Sequence, residues 1–273
     1  MFLLHNPTPF ISLLITIVTL IGSIDCQATY SSHICSDSQN STANATYTSN
    51  LSTLLSSLSS KASLNSFYED SSNGIYSLYL CRGDVSSNTC QTCVNNATQD
   101  IRQRCSSNRT AIIWYDECML RYSNRNFLGV DQTYPRVLMW NSKNTTSPDE
   151  QNFGALGLIY TLIDYVPYTN TMFGTNQSAV PDGSQNRYAL VQCSRDINSS
   201  DCSSCLGMLG DAVTECCQAK VGWRILAPSC SLRYEEYPFY QLSSTPPGTV
   251  PAAPEPGSEA KPGNGESNTK TWL

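Results

Sequence analysis

The sequence predicts an α+β protein built from two tandem, disulfide-stapled modules, and three observations predict it. Cys81, Cys90, Cys93, Cys105 and Cys118 recur as Cys193, Cys202, Cys205, Cys217 and Cys230, each displaced by 112 residues. Five coincident offsets without an insertion mark a duplicated unit. Each copy also carries apolar stripes at helical spacing, and each closes on two short strand-like runs around its last cysteine, so helices and antiparallel strands share one module.

The elements follow in order. Residues 1–26 are expected to be a signal peptide. Phe10 to Ile24 is an apolar run of about fifteen residues, the length of an h-region and short of the roughly 20 that a membrane span needs, although its flank holds His5 and no Lys or Arg. Cleavage after Cys26 would leave twelve of the 13 cysteines, an even number suited to full pairing. Module one is expected over 28–130 and module two over 131–242. An early helix is marked by Leu51, Leu54, Leu55 and Leu58 in the first and by Leu156, Ile159, Tyr160 and Ile163 in the second, both at i, i+3, i+4, i+7.

A second helix begins inside each C-x2-C, with Val94, Ala97, Ile101 and Cys105 inward in one copy and Leu206, Leu209, Val213 and Cys217 in the other. Ile112 to Tyr115 and Arg224 to Leu226 then read as strands, followed by Met119 to Tyr122 and Ser231 to Tyr234, which share the tripeptide Leu-Arg-Tyr. Residues 243–273, rich in Pro, Gly and Ser with almost nothing apolar, are expected to be a disordered tail.

Composition narrows the chemistry. A net charge of −6 without a Lys/Arg block argues against nucleic acid as a partner. With His33 the one histidine left after cleavage, nucleophile–His catalysis lacks its base, and an enzyme is not expected. No phosphate-cradling glycine loop is present, since Gly263 and Gly265 fall in the tail, and no cofactor or metal is expected. In an oxidising compartment the C-x8-C-x2-C pieces favour disulfides over zinc or redox chemistry. No second apolar stretch reaches spanning length, so the mature chain should carry no membrane span. Asn40, Asn44, Asn50, Asn96, Asn108, Asn144, Asn176 and Asn198 head N-x-[ST] sequons and are candidate glycan sites. Arg82-Gly83-Asp84 spells an adhesion tripeptide inside a cysteine-closed loop, where local turn chemistry is the competing reading.

With C-x8-C-x2-C-x11-C-x12-C in both copies, the chain resembles the plant ginkbilobin-homologous module, or salt-stress/antifungal domain. Tyr122-Ser123-Asn124-Arg125 and Tyr237-Pro238-Phe239-Tyr240 strengthen the likeness. Two copies behind a signal peptide resemble a cysteine-rich repeat secretory protein or the ectodomain of a cysteine-rich receptor-like kinase. The resemblance implies, per module, two helices packed on a five-stranded antiparallel sheet. It implies the disulfides Cys35–Cys105, Cys81–Cys90, Cys93–Cys118, Cys193–Cys202 and Cys205–Cys230. Module two has no counterpart of Cys35 and carries an additional Cys216, leaving a vicinal Cys216–Cys217 bridge and two buried free thiols as alternatives.

The family's mannose site, an Asn, an Arg and a Glu, maps in module two onto Arg224 and Glu235, with the third position near Asn141 when the early helices are aligned on Tyr47 and Phe153. Module one places Ser36, Ile112 and Ser123 there and loses the charged pair. A guanidinium fork with a carboxylate can hold neighbouring sugar hydroxyls, whereas the structural reading is a cross-strand ion pair on a half-exposed sheet. The expected function is thus a secreted, non-enzymatic recognition protein of the apoplast, linked to plant defence or stress signalling. Its expected ligand is a mannose-containing glycan or a receptor or other extracellular protein. The alternative is a truncated or spliced receptor-like kinase ectodomain acting through protein contacts, suggested by the Pro-rich stretch from Thr245. An apolar run of about 20 residues with kinase motifs beyond Leu273 in the genome would mark that alternative.

Overall fold

Among the described residues four α-helices form, three of them opened by a side-chain cap. The structure, a computed structural model, describes residues 28–36, 42–145, 148–179 and 186–241, and of 148–153 the backbone alone. The expected signal peptide, the tail and Asn40 lie outside the described residues. Helix α1 (Ala45–Lys61) starts where the Asn44 side chain accepts the Tyr47 N–H at 2.8 Å, and it buries Leu51, Leu54, Leu55 and Leu58. Helix α2 (Ser87–Arg104) is capped by Ser86, and α4 (Ser199–Cys216) by Asn198.

Helix α3 (Pro148–Tyr165) differs from its expected phase. The buried residues are Ala155, Leu158, Ile159, Leu162 and Ile163, while Leu156 is half-buried and Tyr160 is 41% exposed. Apolar residues cover most of this helix, so spacing alone did not fix its inward face. Tyr160 leans on the rim of α4, where a Cβ added at Gly210 would meet its ring at 3.3 Å.

Each module has one five-stranded antiparallel sheet with the same order. In module one, β1 (Tyr30–Ser36), β2 (Phe67–Ser72), β3 (Ile75–Cys81), β4 (Thr110–Tyr115) and β5 (Cys118–Ser123) are arranged β1-β4-β5-β3-β2. In module two, β6 (Val137–Trp140), β7 (Phe173–Ala179), β8 (Asn186–Cys193), β9 (Gly222–Leu226) and β10 (Cys230–Glu235) follow β6-β9-β10-β8-β7. The β2–β3 hairpin turns through Asn73 and Gly74, both at positive φ, the backbone a tight hairpin needs.

The repeated cysteine frame staples a helix to the sheet centre. Cys90 and Cys93 are one turn apart on α2, and they bond Cys81 and Cys118, which face each other across β3 and β5. Module two repeats this with Cys193–Cys202 and Cys205–Cys230, Cys193 facing Cys230. Cys35–Cys105 ties edge strand β1 to the end of α2. In module two Trp140, opposite Trp223, stands where Cys35 stands opposite Ala111, and Cys217 is bonded to Cys216. Alkylation of the unreduced protein followed by mass spectrometry should therefore leave Cys216 and Cys217 unlabelled; two labelled thiols would reject the vicinal bridge.

The helices of each module cover one face of its sheet, and the other faces meet. Leu78, Leu80, Ile112, Trp114, Met119 and Phe127 form a cluster against which Val137 and Leu226 pack. The Gln192 amide donates to the Cys81 carbonyl at 3.0 Å across this interface. Strand β5 is consequently buried at every position. The far side of module two's sheet, expected to be half-exposed, is largely covered by module one.

Candidate functional site

Strand β9 pairs with both β6 and β10, and this places Asn141, Arg224 and Glu235 on one cleft of about 200 Å³. Asn141 follows β6 and its N–H donates to the Gly222 carbonyl at 2.8 Å. That is the ladder position that Ser36 holds opposite Thr110 in module one. Its Oδ1 accepts the Lys143 N–H at 2.9 Å. Glu235 faces Gly222 across the β9–β10 ladder, and a Cβ on Gly222 would lie 2.0 Å from Glu235 Oε2. Glycine is required there for the carboxylate to lie flat on the strand. Trp140 and Tyr237 flank the cleft, 51% and 50% exposed.

The electrostatics of the cleft differ from a simple pair. Arg224 stands directly opposite Arg233, a like-charge arrangement that costs stability unless anions intervene. Two carboxylates do so. Asp116, in the β4–β5 turn of module one, accepts from Arg224 Nη1 through Oδ1 and from Arg233 Nη1 at 3.3 Å through Oδ2. Glu235 Oε1 accepts from Arg233 Nε at 3.0 Å and lies 3.9 Å from Arg224 Nη2. The expected Arg224–Glu235 pair is therefore a long diagonal contact, with Glu235 satisfied mainly by Arg233. Burial pushes the Glu235 carboxyl above its ordinary range against the pull of Arg233 and Arg224. Burial acts the same way on Asp116, but Arg224, Ser31 and Arg233 together outweigh it and hold this carboxyl below its ordinary value.

Asp116 escaped the sequence analysis, and Arg233 entered it only within the repeated Leu-Arg-Tyr tripeptide, not as a group of the cleft. The one signal available was asymmetry between copies, since Asp116-Glu117 of module one corresponds to Pro228-Ser229 in module two. Chemically, the cleft offers amide, guanidinium and carboxylate groups between aromatic walls, a set that exchanges hydrogen bonds with hydroxyls.

Elsewhere, Arg82 and Asp84 of the adhesion tripeptide grip each other at 2.6 and 2.9 Å with little exposure, and a Cβ at Gly83 would lie 2.3 Å from the Phe173 ring, so this segment is local and interfacial structure. Of the sequons, Asn44, Asn144 and Asn198 are exposed, and Asn50, Asn96, Asn108 and Asn176 are half-buried. Among the described residues, no helix is long and apolar enough to cross a membrane.

The salt stress response/antifungal family matches residues 34–125 and 141–237. Cysteine-rich receptor-like protein kinase 25 of Arabidopsis thaliana is 36% identical over 267 residues, covering 92% of this chain and 39% of the kinase, so the chain spans about two fifths of that relative. Cysteine-rich repeat secretory protein 38 of the same plant is 37% identical over 219 residues, covering 77% of this chain and 86% of the relative. An antimicrobial ginkbilobin-2-like protein of Castanea crenata is 37% identical over 214 residues, with 76% and 87% coverage. In fold, the chain is similar to the crystal structure of the tandem DUF26 ectodomain of the Arabidopsis thaliana cysteine-rich receptor-like protein PDLP8, with a TM-score of 0.63, 24% identity, and coverage of 76% of this chain and 98% of the other.

Proposed function

This chain belongs to the salt stress response/antifungal family, and from that premise we propose that it is a secreted, non-catalytic recognition protein of the plant apoplast. Its two modules, 28–130 and 131–242, form the binding body, and module two takes a mannose-containing glycan. The observation that carries the reading is the meeting of Asn141, Arg224 and Glu235 on one cleft between Trp140 and Tyr237. Donor, acceptor and amide face the same space, and amphipathic aromatic rings beside it suit the apolar face of a sugar. The proposed defence role rests on similarity to an antimicrobial relative, and the proposed secretion on similarity to a secretory one.

Titration of mannose and mannan should give saturable binding that falls about 10-fold or more in Arg224→Ala and Asn141→Ala, since each removes hydrogen bonds, one set charge-assisted. Asn141 takes no part in the ion network, so its variant separates ligand loss from interface damage. Saturable binding untouched by both substitutions would sink the proposal.

The second reading, a receptor ectodomain acting through an extracellular protein partner, is favoured by the match to a receptor-like kinase across 92% of this chain. Under that reading the same two modules bind a protein partner.

A further inference from the structure

Module one carries a cleft at the same place in its sheet with the opposite chemistry. Thr110 faces Ser123 across the β4–β5 ladder as Gly222 faces Glu235 in module two, and Ser36 occupies the register of Asn141. The resulting cleft has a volume of about 270 Å³. Its lining holds the hydroxyls of Ser36, Thr110 and Ser123, three arginines, Arg109, Arg121 and Arg125, and no carboxylate.

Three positive charges gathered this way in a chain of net charge −6 need an account. Several other arginines are neutralised locally, Arg82 by Asp84, Arg136 by Glu215, Arg224 and Arg233 by Asp116, while Arg195, away from this cleft, shares with Arg109 a buried Nε without a partner. Among the described residues, Arg109, Arg121 and Arg125 form no ion pair. Arg121 is 7% exposed, donates from Nη2 to the neutral Gln132 Oε1 at 2.6 Å, and lies 3.7 Å from the Phe127 ring centroid. Asp196, whose field reaches Arg121, is held by the Ser194 hydroxyl and the Gly129 N–H. Burial accordingly draws the Arg121 guanidinium down to about 10. Arg109 Nε is buried with no hydrogen-bond partner. A buried cation and an orphaned donor on one polar cleft are what a site for an external anion leaves when it is empty of carboxylates of its own.

We propose that this module one cleft binds an oxyanion carried on a hydroxylated ligand, a sugar acid being the class it fits. The guanidiniums take the carboxylate, and Ser36, with the Thr110 and Ser123 hydroxyls that hydrogen-bond each other at 2.9 Å, meets ring hydroxyls. The site is separate from the module two cleft and does not depend on mannose binding there.

The test is calorimetric titration of the full chain with sodium galacturonate, sodium acetate and galactose as separate arms. Galacturonate should bind saturably and about 10-fold more tightly than acetate or galactose, because only it presents both groups. Arg125→Gln, an exposed position, and Arg109→Gln should each weaken it by about 10-fold, while Arg102→Gln, on the exposed side of α2, leaves it unchanged. No saturable binding, binding indifferent to both Gln variants, or acetate or galactose binding as tightly as galacturonate would overturn the assignment.

Discussion

Replacing Cys35 and Cys105 together with serine is expected to cost about 4 kcal/mol of stability, because the bridge closes a loop with a sequence separation of 70 and so removes most of that loop's entropy from the unfolded chain. The native state amplifies the effect. Among the described residues, strand β1 lies at the sheet edge and pairs with β4 alone. It also brings Ser31 to Asp116 at 2.7 Å, so a loosened β1 weakens the contact between modules. The control is Cys216→Ser with Cys217→Ser, whose adjacent residues close almost no loop and whose removal should cost about 1 kcal/mol. Urea denaturation of the three proteins checks this, and equal losses in the two double variants would show that loop closure is not what the Cys35 bridge contributes.

How much of this was legible depends on the range of the interactions involved. The C-x2-C pair and the stripe Leu51, Leu54, Leu55 and Leu58 are local, so spacing alone located α1 and α2 and their buried faces, although α2 begins at Ser87, ahead of Cys90 rather than inside the C-x2-C, where the Ser86 cap opens it. The five-strand count came from family resemblance. Edge strands such as β1, with the sequence YSSHICS, and β7, with FGTNQSA, show no clear alternation because their exposed outer positions accept any polar residue. Helix α3 was misphased because Leu156, Leu158, Ile159, Tyr160, Leu162 and Ile163 put apolar groups on several faces, and only packing against β8 and α4 chose among them. In the cleft, Arg224 and Glu235 were readable by counting from Cys230, and Asn141 by aligning helices. Asp116 was not, since its partners lie 108 and 117 residues away in another module, and no local pattern encodes a contact between two sheets.

That contact predicts the second large effect. Asp116→Ala should destabilise the protein by about 2–3 kcal/mol at neutral pH, somewhat below the cost of breaking a fully buried pair because Asp116 keeps some solvent contact. Without it, Arg224 and Arg233 face each other across β9 and β10 with one carboxylate, Glu235, between them. The folded-state pKa of Asp116 lies below its ordinary value, so its contribution is fully present above about pH 4 and is lost as pH falls through the folded value. Glu235 runs the other way. Its raised pKa favours the folded state at low pH, and that contribution fades as pH rises through the folded value. Wild type and Asp116→Ala should therefore differ most in urea denaturation at pH 7 and converge towards pH 3. A gap that stays constant across that range would mean that Asp116 acts through packing, and a gap under about 0.5 kcal/mol at pH 7 would place it with ordinary surface ion pairs.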